Sequence, residues 1–190
     1  MARGRTRDED AAQRVLEAAF DLVASHPPGD VGINDIAAAA NVAKQTIYRW
    51  WPSRTAVILD ALVVGTMKAT PFPATDRTRA DFEAHLRGVI RLFTSPTGRI
   101  VRELLAEAQT DAAIADEFRQ RFWAPRRELS RARLLRGVEL GQIRADVDHE
   151  MVLEAMYGPL WTRLLIGHLQ LGPRDATRIT ATVWPGIEAV

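Results

Sequence analysis

The chain has no cysteine among its 190 residues, which excludes disulfides, thiolate zinc sites and thiol redox switches and suits a reducing cytoplasm. It has almost no net charge, +1, so it is not a uniformly basic nucleic-acid binder, and only two lysines stand against 23 arginines. No strand-like alternation is present. The start, Met1-Ala2-Arg3-Gly4-Arg5-Thr6-Arg7, lacks the apolar stretch that a secretory signal requires. Zincin helices, phosphate-binding loops, dinucleotide fingerprints and serine elbows are missing, and His26, His85, His149 and His168 fall in separate segments. The expectation is a cytoplasmic protein that is not an enzyme, with no cofactor and no metal site. Asp146-Val147-Asp148-His149-Glu150 reads as a helix N-cap with its dipole partners rather than as a metal cluster.

What is present is helical periodicity, cut by glycine and proline. The pattern predicts an all-α fold. A first helix from about Asp8 to Ser25 carries Val15, Leu16, Ala19, Leu22 and Val23 on one stripe and stops at His26-Pro27-Pro28-Gly29-Asp30. A short helix from about Ile33 to Ala40, with Ile36, Ala37 and Ala40 inward, closes at Asn41. A third helix from about Lys44 ends at Trp51-Pro52, and Ser53 caps a fourth, Arg54 to Met67. Thr70-Pro71-Phe72-Pro73-Ala74 forms the one clear boundary. Beyond it the breaks predict helices at about 76–94, 98–110, 112–123, 125–140, 148–171 and 173–190. The expected division is residues 1–67, with a two-helix motif at about 32–51, and residues 74–190.

Charge is concentrated where the average hides it. Residues 1–60 hold seven basic and eight acidic residues, yet Asn41–Thr55 contains no acid and does contain Lys44, Arg49 and Arg54, and Arg3, Arg5 and Arg7 form a basic arm. Two short helices joined by a tight turn match the helix-turn-helix arrangement, whose second helix enters the major groove. Ile47 and Trp51, four residues apart, face the core and leave Gln45, Thr46, Tyr48 and Arg49 on the other side. Glutamine and arginine can bond adenine and guanine edges through two contacts, and threonine can bond a base or touch a thymine methyl. Lys44, Tyr48, Trp50 and Arg54 suit phosphates. Asn34, at the start of the second helix, completes the expected DNA-contacting set.

At these residues the sequence resembles the TetR (tetracycline-repressor-like, TetR/AcrR) family of regulators. The resemblance runs from Arg14 through Leu62: Val15-Leu16-Glu17-Ala18-Ala19-Phe20, Asp35-Ile36-Ala37, Val42, Thr46-Ile47-Tyr48 and Trp51-Pro52-Ser53-Arg54. Gly141 to Asp148 and Tyr157-Gly158-Pro159-Leu160 also look like one C-terminal subgroup. Gly32 and Ala43 depart from the pattern, standing where the family has capping hydroxyls, and Asn41 replaces a glycine.

The resemblance implies a homodimer formed by the last two long helices, here 148–171 and 174–190, and a double-stranded DNA operator as partner. It also implies a small-molecule effector held among His85, Glu107, Phe118, Phe122, Trp123, Met156, Trp161 and His168. Phe82, Phe93, Gln109, Tyr157 and Arg163 are further apolar and polar neighbours of that set. The run Met151–Leu171 is apolar on nearly all sides, and because Glu154 and Arg163 interrupt it, a partner subunit accounts for it better than a membrane does. The expected function is a repressor released from a palindromic operator by a ligand. The alternatives are a constitutive DNA-binding regulator and a helical small-molecule-binding protein.

Overall fold

The computed structural model describes residues 2–26 and 28–189, without the side chains of residues 2–8 and of Pro28. The side chains of the basic arm, Arg3, Arg5 and Arg7, therefore lie outside the described residues, as do that of Asp8 and all of Pro27. Among the described residues ten α-helices follow one another: α1 Ala2–Ser25, α2 Ile33–Ala40, α3 Lys44–Trp50, α4 Arg54–Ala69, α5 Thr78–Phe93, α6 Pro96–Ala108, α7 Ala112–Glu117, α8 Ala124–Glu139, α9 His149–Ile166 and α10 Asp175–Val183. The all-α expectation holds. Among the described residues the sole β-type pairing is an isolated antiparallel bridge between Ile143 and Glu188, and no helix is long and apolar enough to cross a membrane.

Two compact units are present. One takes the chain up to Lys68 together with Arg99–Ala124, and the other takes Ala69–Gly98 together with the chain from Pro125 onward. The periodic stripe of α1 supplies Val15, Ala19 and Val23 to the core of the first unit, where Ile36, Ala37, Ala40, Ile47, Leu59 and Leu62 are also buried. Leu16 and Leu22, on the shoulders of that stripe, are only half-buried. Burying a side chain of this size stabilises by roughly 1.5–3 kcal/mol before entropy is subtracted, so these few positions dominate the placement of α1, α2 and α3.

In the second unit the proline-rich boundary is fixed in place rather than loose. The Thr75 backbone N–H and hydroxyl donate to Asp81 at 3.0 and 2.6 Å, and Arg133 donates to the Thr75 carbonyl and to Asp81, each at 2.5 Å. Arg133 and Asp81 are both buried, and a buried ion pair is costly unless further hydrogen bonds reach its members; Thr75 bonds both of them, while the buried Arg133 Nε has no partner among the described residues.

Several predicted helix limits are corrected. α9 stops at Ile166 instead of Leu171, because Gly167 adopts a left-handed φ of 69° and its N–H closes the helix on the Arg163 carbonyl at 3.0 Å. α10 ends at Val183 and not at the C-terminus. A 3-10 turn, Trp184–Gly186, follows, and the chain then pairs with residues 142–144 through Arg144 N–H to Ile187 O (2.9 Å) and Ala189 N–H to Gln142 O (3.2 Å). The predicted 112–123 helix is α only as far as Glu117, and Phe118–Trp123 is a π-helical turn that leads directly into α8. Asp148 caps α9 as expected, its carboxylate accepting from the N–H groups of Glu150 (2.9 Å) and Met151 (3.1 Å).

Candidate nucleic-acid interface

The interface is built from α2, the turn at Asn41–Ala43, and α3. Asn41 sits at φ 53°, ψ 52°, the left-handed conformation its sequence position requires, and the N–H of Val42 bonds the Ala37 carbonyl at 3.0 Å. The two missing hydroxyl caps have different consequences. At Gly32 the helix is closed from the other side, since Asp35 accepts the Gly32 N–H at 2.8 Å. At Ala43 no side chain caps α3, whose first turn is held only by backbone, Thr46 N–H to Ala43 O at 2.9 Å.

The two faces of α3 are sharply different. Ile47 is fully buried and Trp51, which closes the helix, is 5% exposed, whereas Lys44, Gln45, Tyr48 and Arg49 are exposed and Thr46 and Trp50 half-buried. Asn34 is exposed on α2. Cations lie on rings: the Lys44 ammonium is 5.7 Å from the centre of the Tyr48 ring, and the Arg49 guanidinium is 5.0 Å from that of Trp50. These contacts limit the rotamers of long side chains that would otherwise lose freedom on meeting DNA. Arg54, expected to be a phosphate ligand, is half-buried and donates through Nη1 to the Val31 carbonyl at 3.0 Å, so part of its guanidinium holds the backbone in front of α2.

The sequence reading missed Asp60, Glu117 and Arg121. The buried indole N–H of Trp51 donates to Asp60 Oδ2 at 2.8 Å, and Arg121 Nη1 donates to the same oxygen at 2.8 Å. Ser53 caps α4 by accepting the Ala56 N–H at 3.0 Å, and its hydroxyl donates to the Glu117 carboxylate, with oxygens at 2.8 and 2.9 Å. The available signal was Trp51 itself, since a buried indole N–H demands an acceptor. Nothing local pointed to a partner some sixty residues away.

The residues expected to meet an effector fall in both units. Glu107, Phe118, Phe122 and Trp123 belong to the first unit, and His85, Met156, Trp161 and His168 to the second. Phe118 and Phe122 are buried with ring centres 5.1 Å apart. His85 stacks on Phe72 at 4.2 Å and meets Tyr157 edge-on at 6.0 Å, and the Tyr157 hydroxyl is 2.9 Å from that of Ser130. Burial holds the His85 imidazole down to about 4, against weaker opposing bonds from the Pro71 and Thr70 carbonyls, and burial likewise lowers Arg126 to about 10. Met156 is fully buried, and Trp161 packs on Phe93 at 4.9 Å. Arg163 is tied to Asp175 at 2.7 Å. His168 and Gln109 are exposed, His168 because α9 has already ended at Gly167.

Similarity to known proteins covers nearly the whole chain. Residues 15–61 match the family of bacterial regulatory proteins, tetR family, and residues 72–183 match the tetracyclin repressor-like C-terminal domain. An uncharacterized HTH-type transcriptional regulator, YdeS of Bacillus subtilis (strain 168), is 33% identical over 98% of this chain and 94% of its own. The HTH-type transcriptional regulator AqdR of Rhodococcus erythropolis is 26% identical over 82% of this chain and 75% of its own. The crystal structure of the TetR family transcription regulator SCO0332 superposes with a TM-score of 0.87 at 35% identity, over 93% of this chain and 98% of that one. With the exposed polar face of α3 on a helix-turn-helix frame, these similarities lead to one conclusion: the chain belongs to the TetR family and is a helix-turn-helix transcriptional regulator.

Proposed function

We propose that this regulator is a cytoplasmic homodimeric repressor with no catalytic role, which binds a palindromic operator through α3 of each subunit and releases it when a small molecule binds. Within it, residues 1–67 act as the DNA-binding domain and 74–190 as the domain for dimerisation and effector. The observation that carries the reading is the division of α3, with Ile47 and Trp51 inward and Gln45, Tyr48 and Arg49 outward. Gln45, Thr46 and Arg49 read base edges; Lys44, Tyr48, Trp50 and the exposed Asn34 anchor phosphates. A two-fold dimer presents the two reading helices about 34–36 Å apart, one turn of DNA.

Support for dimerisation comes from α9. Val152, Leu153, Met156, Leu160 and Leu164 are buried within the subunit, while Met151, Ala155, Thr162, Leu165 and Ile166 are exposed, with Leu169 just beyond. Met151, Ala155, Gly158, Thr162 and Leu165 recur every three or four residues along α9, the period of a helix seam, with small residues at its middle where a partner helix can approach closely.

An effector is assigned to the C-terminal domain through His85, Met156 and Trp161. A ligand weakens DNA binding only by its differential affinity for two states of the dimer. The constitutive alternative draws on the way polar groups here pair with one another, Arg163 with Asp175 and Tyr157 with Ser130. Selection of bound duplex from a random pool, followed by challenge of the complex with small molecules, decides between them. A palindromic duplex released by at least one compound supports the repressor reading, and indifference to every compound favours the constitutive one.

A further inference from the structure

Within the unit that contains the helix-turn-helix, residues about sixty positions downstream grip the end of the reading helix at two points. Glu117 takes the Ser53 hydroxyl, at 2.8 and 2.9 Å, in the turn between α3 and α4. Arg121 takes Asp60 at 2.8 Å, and the same carboxylate oxygen holds the indole N–H of Trp51 at 2.8 Å. Trp51 in turn meets Trp50 edge-on at 5.6 Å, and Trp50 carries the Arg49 guanidinium on its ring face at 5.0 Å. An unbroken series of contacts thus joins Arg121 to the side chain best suited to read a guanine. The gripping residues straddle the passage from α7 into the π-helical turn Phe118–Trp123, and Phe118 and Phe122 beside them are buried, which fixes the backbone that presents Glu117 and Arg121.

We propose that Glu117 and Arg121 are positioning residues for DNA recognition: they hold the C-terminal end of α3 and set the aim of Arg49 without touching DNA themselves. The inference rests on α3 being the reading helix. Its physical basis is that a recognition side chain must be held to about 0.5 Å, and α3, seven residues long and uncapped at Ala43, cannot hold itself. Asp60 is well placed to pass on the constraint because it accepts two donors on one oxygen, so loss of the Arg121 cation leaves the indole with a carboxylate free to swing.

The test uses full-length protein and the duplex it selects from a random pool. Arg121→Met is expected to weaken that duplex about fivefold, the lower end of ordinary coupling between sites, and by less than twofold once Arg49→Ala is already present. The slope of affinity against salt should stay the same, since no phosphate contact is lost. Arg121→Lys should recover most of the affinity, and the Trp51 indole N–H resonance should shift in Arg121→Met and return in Arg121→Lys. Should Arg121→Met fold poorly, Glu117→Ala, at a half-buried position on the other grip, is expected to give the same pattern. Unchanged affinity, equal losses with and without Arg49, or a slope reduced by about one contact would overturn the proposal. A wild-type protein that selects no duplex would overturn the DNA-reading assignment as well, and is recognised before any variant is made.

Discussion

Tyr48 is an exposed aromatic side chain of the reading helix, 49%, and it lies beneath the Lys44 ammonium, so its hydroxyl and that cation can meet one phosphate together. Tyr48→Ala is therefore expected to weaken every duplex to a similar degree. Arg49→Ala or Gln45→Ala should also erase preference at one base pair, by about 1–3 kcal/mol, as measured by competition with singly substituted duplexes. At this scale the sequence was informative wherever spacing decides: Ile47 and Trp51 four residues apart define the inner face, and Asn41 marks the turn. It was uninformative about Arg54, Asp60, Glu117 and Arg121, because a hydrogen bond between residues far apart in the chain leaves no periodic trace. Gly98 is a further case. A Cβ there would fall 2.1 Å from the Phe93 carbonyl oxygen, a backbone atom that cannot step aside. Gly98→Ala should lower stability by roughly 1–3 kcal/mol in denaturant titration, a cost invisible in the sequence.

The helices themselves were legible because apolar residues recurring at 3.6 residues are what folding buries, and at the breaks marked by Pro52, Gly141 and Pro173 the limits came close. The errors arise where the pattern continues although the backbone does not. Leu169 and Leu171 keep the spacing of α9, yet Gly167 has already turned the chain; the π-helical turn at Phe118–Trp123 inserts no visible change of period. The exposed seam of α9 carries the prediction at this scale. Leu165 and Ile166, 45% and 71% exposed, would be covered by the partner helix, so Leu165→Asp combined with Ile166→Asp should give a folded monomer by light scattering at micromolar concentration. A dimer unaffected by both charges would place the interface elsewhere.

For the molecule as a whole, stability should depend on pH through His85. Its folded imidazole is held neutral down to about 4, below its ordinary 6.5, so between these values the unfolded chain binds the proton and the folded chain does not. Stability is then fully present above about pH 6.5 and is lost as the pH falls toward 4. His85→Asn should flatten that part of the profile relative to wild type in denaturation midpoints taken at pH 7 and pH 5. Equal pH dependence in the two proteins would show that the imidazole is not held neutral by burial.

The allocation of Arg99–Ala124 to the unit containing the helix-turn-helix bears on how regulators of this kind are recombined. Grafting the first 67 residues onto a foreign C-terminal part would bring Ser53 and Asp60 without Glu117 and Arg121. Such a hybrid would keep the reading side chains and lose their mount. A transplant that also carries 99–124 should keep its operator preference, and a cut made by sequence order alone should blur it.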